Sequence, residues 1–265
     1  MSLTMETARL NVTGGVAWIT LNRPDALNAW TRELGDDLRS ALDHAAESSE
    51  ARAIVLTGAG RAFSSGADLK AGLVLGEDGK PDVLTSLREV YNPLILRVRT
   101  IPKPVIAAVN GPAVGIGCSL ALAADLILAA ESAYFLLAFV NIGLGLDGGA
   151  SAFLPARVGH ARAFELAYLG ERLPAMRALE WGLVNRVVPD AELETGAGAL
   201  ASRLAAGPPG SYATIKQTIN DHLYPRLEQQ LDDEAVLQQE RASSRDFIEG
   251  ALAFVEKRPA SFTGD

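Results

Sequence analysis

The sequence predicts an α/β fold over residues 1–190 and an all-helical region over residues 191–265. Up to residue 188, short apolar or alternating runs bounded by glycine, proline or asparagine alternate with segments of helical periodicity. After Pro189 no strand signal remains, and successive segments all read as helices. The length of 265 residues, 48% hydrophobic and 21% charged, suits a chain that folds around its own core.

The elements follow in order. Residues 7–12 and 16–21 alternate apolar with polar and flank Thr13, Gly14 and Gly15, a hairpin signal. Asn22, Arg23 and Pro24 then break the strand. Residues 31–47 place Leu34, Leu38, Leu42 and Ala45 on one helical face, with Thr31 as the N-cap. Residues 53–57 are a short apolar run before Gly58 and Gly60, the pattern of a buried strand. The polar, glycine-rich residues 72–82 read as a mobile surface segment. Residues 83–98 read as a helix with Leu84, Leu87, Tyr91, Leu94, Ile95 and Val98 facing inward.

Residues 104–124 carry no charge and could span a bilayer by length alone. Pro104, Asn110, Pro112 and the glycines at 111, 115 and 117 divide them instead into a strand at 105–109, a turn, and a small-residue helix at 114–124. Short strands are predicted at 126–130 and 134–135, helices at 149–156, 160–169 and 175–181, and a last strand at 185–188. Helices then cover 191–206, 209–223, 226–241 and 244–256. Their apolar positions, among them Leu223, Leu227, Leu231, Val236, Leu237, Phe247, Phe254 and Val255, suit packing on another subunit or on their own domain.

Composition bounds the function. With 24 basic and 32 acidic residues the net charge is −8, which argues against a general affinity for nucleic acid or anionic lipid. The polar start, with Glu6 and Arg9, does not read as a signal peptide. Cys118, the one cysteine, excludes an intrachain disulfide and suits a reducing compartment; the expected location is cytoplasmic. His44, His160 and His222 lack metal-ligand spacing, so no metal is expected. Gly79 and Lys80 do not complete a P-loop, and no GxSxG elbow is present. Gly143, Gly145 and Gly148 satisfy GxGxxG, but Asp147 within it would oppose a pyrophosphate. A turn that presents Asp147 is the simpler reading. Cys118, in an apolar helix with no adjacent histidine, reads as a small core residue.

Two segments share a design: an apolar strand, a glycine-containing turn, then a helix. One runs through Ala62, Phe63, Ser64, Ser65, Gly66, Ala67, Asp68 and Leu69; the other runs through Gly111, Pro112, Ala113, Val114, Gly115, Ile116, Gly117 and Cys118. Such turns expose backbone N–H groups, and a helix N-terminus adds about half a positive charge. Two donors from separate turns converging on one oxygen would stabilise the enolate of a thioester.

In these segments the chain resembles the enoyl-CoA hydratase/isomerase (crotonase) superfamily. The resemblance extends to Asn22, Arg23 and Pro24 with Asn28 and Ala29, to Pro102, Lys103 and Pro104, to Ala124, Asp125 and Leu126, to Gly182, Leu183, Val184 and Asn185, and to the ending at Phe254, Val255, Glu256, Lys257, Arg258 and Phe262. It implies a spiral of ββα units with a C-terminal helical trimerisation region, a homotrimer or dimer of trimers, and a coenzyme A thioester as substrate with no permanently bound cofactor. It also implies oxyanion donors at the amides of Ser65 and Ile116. Coenzyme A contacts are implied at Arg23, Ala26, Gly66, Ala67, Asp68, Leu69 and Lys70, with Phe254 and Lys257 reaching a neighbouring subunit's coenzyme. Asp68 also reads as the cap of a following helix, and Lys257 as a solvated helix-end lysine.

Hydration of a 2-enoyl thioester needs two carboxylates around one water. The resemblance places these glutamates at the positions of Ser119 and Phe139, and neither residue can do that work. Ser119 reads as a packed helix serine and Asp125 as a structural corner residue. The remaining candidate base is Asp147, which follows Gly145 and Leu146 and precedes Gly148 and Gly149. This loop resembles that of phenylacetate-pathway isomerases, with Leu146 where proline is usual. A shift of a double bond from C3 to C2 needs one group, which takes a proton from C2 and returns it to C4. Leu144, Leu146 and Phe139 would desolvate Asp147 and raise its pKa toward neutrality. A Δ3-Δ2-enoyl-CoA isomerase is the leading expectation. Hydratase, dehalogenase, decarboxylase or ring-opening activity on an acyl-CoA remains open, as does a non-catalytic acyl-CoA-binding protein.

Overall fold

The computed structural model describes residues 2–72, 74–77 and 79–265. A strand the sequence did not signal, β1 (Ser2–Thr4), pairs antiparallel with β2 (Ala8–Thr13). The predicted hairpin then joins β2 to β3 (Val16–Leu21). Thr13 pairs with Val16, so Gly14 and Gly15 alone make the turn, at φ 56° and 83°. The helix α1 (Arg32–Glu47) starts where the Leu34 N–H donates to Thr31 Oγ1 at 3.2 Å, and buries Leu34, Leu38, Leu42 and Ala45. The strand β4 (Ala53–Gly58) follows.

The helix expected over 83–98 is three pieces: α2 (Val83–Ser86), a π-helical turn over Leu87–Tyr91, and α3 (Asn92–Thr100). The Asn92 N–H donates to the Leu87 carbonyl, five residues back, and Pro93 after it has no N–H to give. The extra residue shifts the register, so Val90 is buried and Tyr91 is half-buried. Next come β5 (Val105–Val109), β6 (Ala113–Val114) and α4 (Ile116–Ala123), of which β5 and α4 are wholly buried. The chain continues through β7 (Leu126–Ala130), β8 (Tyr134–Leu136), α5 (Ala150–Val158), α6 (His160–Leu169), β9 (Leu173–Pro174), α7 (Ala175–Glu180) and β10 (Arg186–Val188). It ends in α8 (Leu193–Ala205), α9 (Pro209–Leu223), α10 (Leu227–Ala242) and α11 (Arg245–Glu256).

Strands β1-β2-β3-β4-β5-β7-β10 form one sheet in that order. Its start is antiparallel, and from β3 onward every pair is parallel. A second, smaller ladder runs beside it. Trp30 bridges Ala67, Ser64 bridges Ala113, and β6 pairs with β8, which pairs with β9. Strands β3, β4, β5 and β7 are thus each followed by a short extended piece in the second ladder and then by a helix, which is the expected spiral of ββα units.

Residue 190 marks where strands stop, not where the core stops. Leu193, Ala197, Ala201 and Ala205 of α8 belong to the same hydrophobic core as the sheet, and Leu231 of α10 joins it. Among the described residues no helix is long and apolar enough to cross a membrane. Asp125 is structural as expected: at the corner before β7 it accepts the Val105 N–H at 2.8 Å and pairs with Arg99 at 3.1 Å and Lys216 at 3.0 Å.

Leu73 and Asp78, within the segment expected to be mobile, lie outside the described residues, as does Met1. Its other residues are tied by hydrogen bonds from Gly76 N to Lys80 O and from Asp82 N to Val74 O, both at 2.8 Å. The helix that Asp68 was expected to cap does not form: the next helix among the described residues is α2. Asp68 Oδ1 instead accepts the Ala71 N–H at 3.2 Å, closing a turn, and Oδ2 pairs with Arg23 at 3.0 Å.

Candidate active site

The two glycine-containing turns lie against each other. A Cβ on Gly66 would stand 3.0 Å from the Val114 carbonyl oxygen, and one on Gly117 would stand 2.5 Å from Ser64 Cβ. Glycine at 66 and 117 therefore lets the backbones touch. The first turn corrects the expected donor. The Ser65 N–H donates to the Leu27 carbonyl at 3.0 Å, so it has no hydrogen to offer a ligand. The bridge to Trp30 uses the Gly66 carbonyl and the Asp68 N–H, which leaves the Ala67 amide facing the other way. Ala67 is exposed, and no protein acceptor takes its N–H among the described residues. In the second turn, Ile116 opens α4, and no side chain caps that helix. Its first N–H groups have no carbonyl one turn back, so the Ile116 N–H has no intrahelical acceptor.

Asp147 sits in the loop after Val140–Ile142, at 8% exposure. Gly148, at φ 61°, presses this loop onto α4: a Cβ there would meet Ile116 Cδ1 at 2.5 Å and Ser119 Cβ at 2.9 Å. Ser119 is fully buried and donates its hydroxyl to the Asp147 carbonyl oxygen at 2.8 Å, a packing role as expected. The carboxylate is thereby held beside the start of α4. Its Oδ2 accepts from Gln238 Nε2 at 2.9 Å, while Oδ1 is buried without a partner. Burial pushes the Asp147 carboxyl up to about 7; the Gln238 hydrogen bond opposes this and the charge of Glu234 adds to it. The group is poised to exchange a proton near neutral pH. Phe139 is buried beside Gly115, and Leu144 and Leu146 pack on the core at either side of Gly145.

Three residues at the site carry no signal in the sequence. Gln238 and Glu234 lie one turn apart on α10, both buried. Glu234 accepts the N–H groups of Gly149 at 2.7 Å and Ser151 at 3.0 Å, which caps α5. In a helix rich in Gln, Asp and Glu, nothing marks these two as different from the solvated positions. Tyr91 is the third. Its ring meets Trp30 edge-on at 5.0 Å between centroids, and burial together with the charges of Asp147 and Asp68 raises its phenol. It stays neutral at physiological pH and able to donate a hydrogen bond.

The remaining expected contacts divide into two places. Ala26, Gly66, Ala67, Asp68, Leu69 and Lys70 share the first turn's neighbourhood, where Ser65 Oγ donates to the Ala26 carbonyl at 3.4 Å. Arg23 is tied there to Asp68 and to the Ala29 carbonyl, so Lys70 is the more exposed cation. Phe254 and Lys257 are exposed at the far end of α11.

Comparison with known proteins gives a consistent picture. The enoyl-CoA hydratase/isomerase family profile matches residues 11–265. A probable enoyl-CoA hydratase of Rhodobacter capsulatus is 45% identical over 99% of this chain and 100% of its own length. The 1,2-epoxyphenylacetyl-CoA isomerase of Escherichia coli is 42% identical over 98% of this chain and 99% of its own. A crystal structure of an enoyl-CoA hydratase from Mycobacterium avium subsp. paratuberculosis superposes with a TM-score of 0.88 at 39% identity, covering 98% of this chain and 100% of that one.

Proposed function

Because this chain belongs to the enoyl-CoA hydratase/isomerase family, we propose that it isomerises a 3-enoyl thioester of coenzyme A to the 2-enoyl thioester, with Asp147 carrying the proton. One observation carries the reading. The site holds a single buried carboxylate with an unpartnered oxygen, Asp147 Oδ1, poised near pH 7. Ser119 and Phe139 stand where the resemblance puts a hydratase's two glutamates, and neither can hold a water as a pair of carboxylates does.

In this mechanism the thioester oxygen lies between the Ala67 and Ile116 amides. Asp147 Oδ1 takes a proton from C2, and the electron pair passes to the thioester oxygen as a dienolate. The two N–H groups stabilise that charge. The pair then returns through the conjugated system, C4 takes the proton back from Asp147, and the double bond lies between C2 and C3. Atoms and electrons balance within the substrate and one carboxyl group, so coenzyme A enters only as part of the substrate. The partly neutralised Arg23 and the exposed Lys70 face the coenzyme's phosphates, beside Ala26, Gly66, Asp68 and Leu69. Exposed Ile215, Ile219 and Leu223 on α9, with Leu252, Phe254 and Val255 on α11, support a homotrimer or dimer of trimers. In such an assembly Phe254 and Lys257 reach a neighbour's coenzyme.

The name of the Rhodobacter capsulatus relative sets the competing reading, hydration. Assaying 3-enoyl-CoA and 2-enoyl-CoA side by side separates the two. Isomerisation of the first with no water added to the second is expected, with kcat/KM rising through about pH 7 as Asp147 ionises. Rapid hydration of the 2-enoyl thioester would overturn the proposal.

A further inference from the structure

The proposed base is held by a part of the chain that the division into core and helical tail assigns to assembly. We infer that Gln238 is the positioning residue for Asp147: its carboxamide fixes one carboxylate oxygen and leaves the other as the sole oxygen that carries the proton. This rests on the reading of Asp147 as the base.

The geometry is over-determined. Gln238 is 1% exposed, so its amide cannot trade partners with water. Its Oε1 accepts the Gly145 N–H at 2.8 Å, an interaction that only the oxygen can make. That fixes which end of the amide faces Asp147, and Nε2 donates to Oδ2 at 2.9 Å. One side chain therefore grips the loop at its backbone two residues before Asp147 and grips the carboxylate itself. Glu234, one turn earlier on α10, grips the same loop beyond Asp147 through Gly149 and Ser151. The segment is suspended from one helix face at both ends, and the carboxylate cannot turn without breaking a buried hydrogen bond. Oδ1, the unpartnered oxygen, is what remains for substrate.

The residue type follows from the surroundings. The titratable groups facing Asp147 are Glu234 on the same helix and Tyr91 on the π-helical turn, while α4 presents only uncharged Ile116 and Ser119. A glutamate at 238 would add a third carboxyl group to this cluster and could not donate while ionised. An apolar residue would leave the Gly145 N–H and Asp147 Oδ2 unpaired. A neutral amide with one acceptor and one donor end satisfies both. Because that hydrogen bond favours the ionised carboxylate, it opposes the upward pull of burial on the base.

The test compares Gln238→Leu, Gln238→Glu and, as a control, Gln239→Leu. Gln239 hydrogen-bonds from the same helix to residues 81, 83 and 84, and not to Asp147. The Asp147 carboxyl is followed directly by its infrared carbonyl band, assigned by its absence in Asp147→Asn, across a pH titration. Loss of one hydrogen bond to a charged group should move that titration, and the acid limb of kcat/KM, upward by about one to two pH units in Gln238→Leu. Gln238→Glu should move both further. The plateau kcat of Gln238→Leu should fall by roughly tenfold or more with KM little changed, since orientation and not binding is lost. Gln239→Leu should leave the band and the limb in place. Should Gln238→Leu fail to fold, Gln238→Glu carries the same titration. A band that titrates as in wild type in either folded Gln238 variant overturns the inference. Turnover by Asp147→Asn would instead overturn the base assignment while leaving the titration result standing.

Discussion

Replacing Asp147 with asparagine is expected to stabilise the fold while abolishing turnover. The ordinary aspartate value of 3.8 applies in the unfolded chain, and burial brings the native group to about 7. The native protein therefore binds more protons than the unfolded chain between these values. The stability this group contributes is fully present below pH 3.8 and is lost progressively as the pH rises to about 7. At about 1.4 kcal/mol for each pH unit between the two values, the loss is roughly 2 kcal/mol at pH 5 and roughly 4 kcal/mol at pH 8. The carboxamide of the Asp147→Asn variant would remain neutral at every pH. Its oxygen could still accept from Gln238 Nε2, so the packing and that hydrogen bond survive. Urea unfolding of both proteins, at pH 5 and pH 8 and one fixed protein concentration, measures the difference. The variant should be the more stable at both, by about 3 kcal/mol more at pH 8 than at pH 5. Equal gains at the two pH values, or a less stable variant at pH 8, would refute the claim that Asp147 is a carboxylate held against its own desolvation. Such a gain on removing a functional group is the trade that strained sites make.

Other perturbations probe the scaffold. Asp125→Ala leaves the buried cations of Arg99 and Lys216 without their shared carboxylate and should cost about 3–5 kcal/mol in unfolding free energy, read from the denaturation midpoint. Gly117→Ala would place a methyl 2.5 Å from Ser64 Cβ and force the two turns apart. It should cost roughly 1–3 kcal/mol in stability and lower kcat much more than it weakens binding of a coenzyme A thioester, since the Ala67 and Ile116 amides would no longer meet. An unaltered kcat in this variant would contradict the pairing of those two amides.

The fold was legible because local rules and tertiary packing agree along most of the chain. The hairpin at Gly14 and Gly15, the Thr31 cap and the apolar face of α1 need no distant partner to be specified. The errors fall where distant partners decide. The register at Tyr91 shifts by one residue because a π-helical turn precedes Pro93, and no periodicity count registers an inserted residue. The expected cap at Asp68 closes a turn and not a helix, with its other carboxylate oxygen paired to Arg23, 45 residues away in sequence. Strands β1, β6 and β9 are too short to carry an alternation of their own and exist because a neighbouring strand offers a partner.

The candidate site divides the same way. By itself, the sequence determined that two glycine turns follow buried strands and that Asp147 stands alone on a glycine loop, while the family resemblance is what implies that Ser119 and Phe139 take the places of a hydratase's carboxylates. Only the tertiary structure decided which amide is free. The Ser65 N–H is consumed by the Leu27 carbonyl, while Ala67, two residues on, faces outward. Only it brought Gln238, 91 residues beyond Asp147, into contact with the carboxylate. The reason is physical: a residue's identity is local, but whether a hydrogen-bonding group is spent or available, and whether a carboxyl is solvated or buried, is settled by what the rest of the chain packs against it.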